Sequence, residues 1–122
     1  MQLTINLREV QGVAIIDLSG RIVAGEEVDS LRAKIQELLR NNLTKITLNL
    51  EQVTRVDSTG IGALVEAVIN TVKQGGQLKL CNVPRLVHNI LHTHRLLQAF
   101  EICTTEADAL ASFQNSAPQP AA

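Results

Sequence analysis

Between residues 46 and 80 the hydrophobic period changes twice, and no other feature restricts the fold as tightly. Ile46, Leu48 and Leu50 alternate with Thr47 and Asn49, the period of a strand that buries one face. Ile61, Leu64, Val65, Val68, Ile69 and Val72 then recur at helical spacing as a wide apolar stripe, closed by Gly75-Gly76. Alternation resumes at Leu78 and Leu80, which point inward while Gln77, Lys79 and Cys81 point the other way. Strand, helix and strand in that order make a β-α-β unit.

The flanks extend the pattern. Leu3 to Arg8 alternates and Val13 to Leu18 is apolar, with Gln11-Gly12 between them, so an opening β-hairpin is expected. Val28, Leu31, Ile35, Leu38 and Leu39 mark a first helix, with Glu26 and Glu27 near its start, Arg40 near its end and Asn41-Asn42 after it. Pro84 opens a third helix whose stripe is Leu86, Val87, Ile90 and Leu91. A short last strand is expected within Leu96 to Ile102, and a closing helix from Glu106 to Phe113. Strands buried on both faces would read as continuous apolar runs, whereas the central strands here alternate. The helices should therefore lie mainly on one face of the sheet.

At 122 residues the chain is expected to be one domain, residues 1–113, burying roughly two thirds of its unfolded surface without a disulfide or metal. Residues 114–122, with Pro118 and Pro120, read as a loose tail. A net charge of −1 and only two aromatic residues, Phe100 and Phe113, give neither the basic footprint nor the stacking platform of a nucleic-acid binder. No apolar stretch reaches the roughly 18 residues of a membrane span. Cys81 and Cys103 lack a C-x-x-C arrangement and read as buried thiols in a reducing compartment, so a cytoplasmic location is expected.

At the junction of strand and second helix stands Asp57-Ser58-Thr59-Gly60-Ile61-Gly62. Its plainest role is capping by Asp57, Ser58 or Thr59, with the glycines allowing close passage to the sheet. The same place suits a regulatory serine, because the free N–H groups and positive end of a helix favour added negative charge. Other chemistries fail on spacing. A nucleophile elbow needs glycine at 56, which is Val56. The dinucleotide fingerprint needs a small residue at 65, which is Val65, and no Gly-Lys-Ser/Thr follows for a P-loop. His88 and His92 have the i, i+4 spacing of metal ligands, but Asn89 breaks H-E-x-x-H and no carboxylate or cysteine lies near; with His94 they read as solvent-facing. Glu26-Glu27 read as helix-start residues, and no histidine is aligned with Ser58 for a hydrolase triad.

Taken together, three stretches resemble the STAS domain proteins, specifically the bacterial anti-sigma factor antagonists. They are Leu18-Ser19-Gly20-Arg21-Ile22, Val56-Asp57-Ser58-Thr59-Gly60, and Gly75-Gly76-Gln77-Leu78-Lys79-Leu80. The resemblance runs from about residue 3 to residue 113. It implies an α/β fold, a β-α superhelix with one mixed sheet of about five strands and about four helices. It also implies a partner-switching protein, not an enzyme, with no cofactor. In such proteins the serine corresponding to Ser58 is phosphorylated by an anti-sigma factor that is itself a serine kinase of the histidine-kinase-like ATPase fold. The unphosphorylated form binds that kinase and frees the sigma factor, and a PP2C-type phosphatase restores it. Asp57, Ser58, Thr59, Gly60, Ile61 and Gly62 would form the partner-binding segment. Many relatives carry G-x-L-D after the second strand where this chain reads Gly20-Arg21-Ile22-Val23, which leaves Glu26 or Glu27 as the acidic group expected in that space. Two alternatives stand beside this implication: a non-switching STAS scaffold of a signalling or transport assembly, with Ser58 only a cap, and a small-ligand or nucleotide sensor using the free N–H groups at the same helix start.

Overall fold

The computed structural model describes residues 2–115. β1 (Leu3–Val10) and β2 (Val13–Ile22) form the expected antiparallel hairpin, turned through Gln11 and Gly12 at positive φ. There follow α1 (Glu26–Arg40), β3 (Lys45–Val56), α2 (Ser58–Lys73), β4 (Gln77–Cys81), α3 (Arg85–Thr93), β5 (Glu101–Cys103) and α4 (Glu106–Asn115). The strands make one mixed sheet in the order β1-β2-β3-β4-β5, parallel from β2 onward. With sequential strand order, crossovers of one hand place each connecting helix on the same face. Accordingly α1, α2 and α3 cover one face, and α4 folds back onto the other.

The face under α1, α2 and α3 is apolar. Ile16 and Leu18 of β2, Ile46, Leu48 and Leu50 of β3, and Leu78 and Leu80 of β4 pack with Leu31 and Leu38 of α1, Leu64 of α2, and Val87 and Leu91 of α3. The face under α4 is mixed. Val13 and Ile15 meet Phe113, with Val10 and Leu110 packed beside them, and polar groups fill much of what is left. Lys79 is 1% exposed; its Nζ donates to Ser112 of α4, lies 4.3 Å from the centroid of the Phe113 ring and 3.4 Å from Glu101. Arg8 pairs with Asp17 at 2.6 Å and with Glu106 of α4 at 2.5 Å, while Asn49 Nδ2 donates to Asp17 at 2.9 Å. Ion pairs therefore add to a small apolar contact, made by Ala109, Leu110 and Phe113, in holding α4.

Several expectations change in detail. The apolar arc of α2 is wider than its buried face: Gly60, Ile61, Ala63, Leu64, Ala67 and Thr71 are buried, whereas Ile69 and Val72 stand 47% and 58% exposed. Small residues let the helix approach the sheet closely, so the small side turns in. On α3, Leu86 is exposed and Val87 with Leu91 forms the buried pair. The last strand spans only Glu101–Cys103, because Leu97–Ala99 form a 3₁₀ turn. α4 continues two residues beyond Phe113; the remainder of the expected tail, 116–122, lies outside the described residues.

Candidate functional site

β3 outruns its partner β4 and ends with Val56 opposite Ile22, the last residue of β2. That extension delivers Asp57 to the loop between β2 and α1. The Asp57 N–H donates to the Ile22 carbonyl at 3.3 Å. Its carboxylate accepts the Ala24 N–H at 2.9 Å through one oxygen and the Gly60 N–H at 2.7 Å through the other. One bond ties the loop to the helix; the second is the N-cap bond that satisfies an otherwise orphan donor of α2. Backbone N–H donation from Ala24, and next from Gly60, holds the Asp57 carboxyl below the ordinary carboxylate range, so it is ionised at neutral pH.

Because Asp57 performs the capping, Ser58 is free of it. Ser58 is the first residue of α2, is exposed, and its hydroxyl makes no hydrogen bond among the described residues. Thr59 is exposed beside it. The two glycines have opposite roles. A Cβ on Gly60 would stand 2.0 Å from the Ile22 carbonyl oxygen and 2.9 Å from Val56 Cγ1, so only glycine lets α2 begin this close to the ends of β2 and β3. A Cβ on Gly62 would meet nothing within 4 Å; that glycine faces solvent and no contact within the described residues requires it. Ile61 is 7% exposed and belongs to the main core.

Ser58, Gly62, Val65, Ile69 and Val72 follow one another at i, i+4, i+7, i+11 and i+14, which places them along one side of α2. Gly62, Ile69 and Val72 are exposed and Val65 is half-buried, so an apolar strip descends the helix from the free hydroxyl. At the strip's upper end lies a cavity of about 400 Å³, with Ser58, Ile61 and Gly62 on one wall and Ile90, His94 and Leu96 on the other. The sequence pattern flagged the hydroxyl but not the strip, since all six apolar positions of α2 read as core. The signal that separates them is the row Gly60, Ala63, Ala67 and Thr71 on the opposite side.

Glu27 turns to the start of β1 and accepts the Gln2 N–H at 3.1 Å, and neither it nor Glu26 lines the cavity. His88, His92 and His94 are all exposed, and among the described residues no three His, Cys, Asp or Glu side chains converge as a metal site.

A family model for the STAS domain matches residues 4–109, most of the chain. The chain belongs to the STAS domain family. This STAS domain is 28% identical over 115 residues to the anti-sigma F factor antagonist of Paenibacillus polymyxa, covering 93% of this chain and 97% of that one. Its fold is similar to a crystal structure of a candidate anti-sigma factor antagonist from Thermotoga maritima, with a TM-score of 0.81, 21% identity, and 90% and 94% of the two chains covered. It is also similar to the Bacillus cell fate determinant SpoIIAA in its phosphorylated form, with a TM-score of 0.70, 21% identity, and 90% and 99% covered. Among the described residues no helix is long and apolar enough to cross a membrane.

Proposed function

We propose that this STAS domain is a cytoplasmic anti-sigma factor antagonist that works by partner switching and has no catalytic activity of its own. Unphosphorylated, it binds an anti-sigma factor kinase of the histidine-kinase-like ATPase fold through Asp57–Gly62, and the sigma factor is released. Phosphorylation of Ser58 abolishes that binding, and a PP2C-type phosphatase restores it. The observation that carries this reading is the division of labour at the start of α2: Asp57 caps the helix, leaving the Ser58 hydroxyl exposed and unbonded. A serine needed as a cap would be engaged.

The strip of Gly62, Val65, Ile69 and Val72 supports the same reading, since an apolar row with no cover among the described residues is a partner surface. Gly62 would let a partner backbone approach beside the hydroxyl. Phosphate adds about −1.5 to −2 charge next to the ionised Asp57, at the edge of what would be a dry contact. A hundredfold loss of affinity requires only about 2.7 kcal/mol, within reach of like-charge repulsion plus desolvation.

The test is affinity capture from lysate of the source cells with wild-type and Ser58→Asp baits, read by mass spectrometry. Expected is an ATPase of the kinase class held by wild type and by Ser58→Ala and lost with Ser58→Asp. Capture of the same proteins by all three baits would favour the scaffold reading, in which Ser58 switches nothing.

A further inference from the structure

Cys81 and Cys103 are the only cysteines of the chain, and the fold sets them side by side. They end β4 and β5, neighbouring parallel strands, and are direct register partners. Because side chains alternate, the register that sends Leu80 and Ile102 to one face sends both thiols to the other, beneath α4. Neighbouring strands run about 4.8 Å apart, inside the roughly 4.4–6.8 Å between Cα atoms that a disulfide spans. Both thiols are free. Cys81 is fully buried, with Asn82 Nδ2 at 3.9 Å from its sulfur, while Cys103 is half-buried and reachable from solvent. Just past the pair, the Asn82 N–H donates to the Thr104 carbonyl at 3.3 Å, which keeps the two chain segments together.

Direct partners on parallel strands stand with their Cβ atoms near the strand spacing, somewhat beyond the roughly 3.5–4.5 Å of a relaxed disulfide. The difference falls on Cys103, the last residue of a three-residue edge strand, the part of the sheet with the fewest neighbours to hold it. A bond closed there carries strain and is correspondingly easy to reduce. Burial pushes the Cys81 thiol up to about 12 and raises that of Cys103. Both are protonated at neutral pH, so the pair rests as dithiol and reacts with oxidants slowly.

We propose that Cys81 and Cys103 form an oxidisable pair, in which a hydroperoxide attacks the accessible Cys103 and Cys81 resolves the product into a cross-strand disulfide within one chain. In the first step the Cys103 sulfur takes one oxygen from hydrogen peroxide, giving a sulfenic acid and one water; sulfur is oxidised and peroxide reduced. In the second, the Cys81 sulfur attacks the Cys103 sulfur, the S–O bond breaks, and the hydroxyl leaves with the Cys81 proton as a second water. Thiols and peroxide thus exchange two electrons, and nothing else is consumed. The pair is separate from the start of α2, and the inference does not rest on the function proposed for Ser58.

The experiment treats the folded wild-type chain with hydrogen peroxide, quenches with a thiol alkylator under denaturing conditions, and reads intact mass and non-reduced peptides. Expected is a monomer lighter by two hydrogen atoms, with neither cysteine alkylated and a peptide joining β4 to β5. Dithiothreitol should restore alkylation of both. In Cys103→Ser the Cys81 thiol should remain unoxidised, and in Cys81→Ala the Cys103 sulfur should pass on to sulfinic acid. Wild-type Cys103 carrying sulfinic acid while Cys81 still takes the alkylator, or a disulfide found only between chains, would overturn the proposal.

Discussion

Asp17 and Asp57 are both held ionised below the ordinary carboxylate range, by different neighbours and with different consequences. Asp17 lies on the sheet under α4, where Arg8 dominates the lowering of its pKa and Asn49 adds a further hydrogen bond. Every charge there is absorbed: Arg8 bridges Asp17 and Glu106, and α4 is pinned in place. Asp57 lies at the start of α2 and is held chiefly by backbone N–H groups, first Ala24 and then Gly60, with the charge of Arg55 the smallest contribution. Its hydrogen bonds come from the backbone, and the adjoining hydroxyl is left over. A region whose charged groups pair with one another is a structural layer. A region in which one residue satisfies the backbone so that its neighbour need not is suited to reversible chemistry.

Substitution can break that contrast, and the largest effect belongs to Gly60. Gly60→Ala places a methyl 2.0 Å from the Ile22 carbonyl oxygen, and a loss of about 3 kcal/mol is expected in urea unfolding. Next comes Asp57→Ala, which removes the cap and the tether to Ala24; calorimetry should show Tm lower by about 4 °C, the scale of one lost helix cap in a chain of this size. Asp17→Asn should cost about 0.5–1 kcal/mol, since its pair with Arg8 is partly solvated. The folded pKa of Asp17 lies below its ordinary 3.8, so its stabilisation is complete above that pH and disappears as pH falls through the folded value. A stability profile measured from pH 6 down to 2 should therefore be flatter at its acid end in Asp17→Asn than in wild type. The smallest change in stability is the most discriminating. Gly62→Ala should stabilise the chain by about 0.5 kcal/mol, as glycine to alanine does inside a helix, while weakening partner capture. A Gly62→Ala variant with unchanged capture would remove Gly62 from the proposed surface.

Much of this was legible in the sequence, for reasons that particular residues make plain. Alternation at Ile46, Leu48, Leu50, Leu78 and Leu80 assigned strand faces correctly, because a period of two leaves only two choices and a single apolar one. The apolar arc of α2 gave no such constraint. It exceeded half the helix, and which part turned inward was set by the close approach of Gly60, Ala63 and Ala67 to the sheet. Helix ends were legible only where the residue advertised them. α1, α2 and α3 all close with the same backbone bond, Leu43 to Leu38, Gly76 to Thr71 and Leu96 to Leu91, after a residue in the left-handed region. Asn42 and Gly75 signal that conformation; Arg95, at φ 57°, does not, so the run from Leu96 read as the start of a strand. At the candidate site, the sequence named Ser58 but left the cap open among Asp57, Ser58 and Thr59. Only the fold, by bringing Ala24 to the Asp57 carboxylate, assigns the cap to Asp57.

The most direct measurement is a phosphotransfer assay. The ATPase captured by wild-type bait is incubated with ATP and either wild type or Ser58→Ala, and intact mass with peptide mapping locates any phosphate. Expected is one phosphate on wild type, on Ser58, with release of the complex, and none on Ser58→Ala, which stays bound. A phosphate on Thr59 instead, or a wild-type chain that is bound but never modified, would contradict the assignment of Ser58 as the switch.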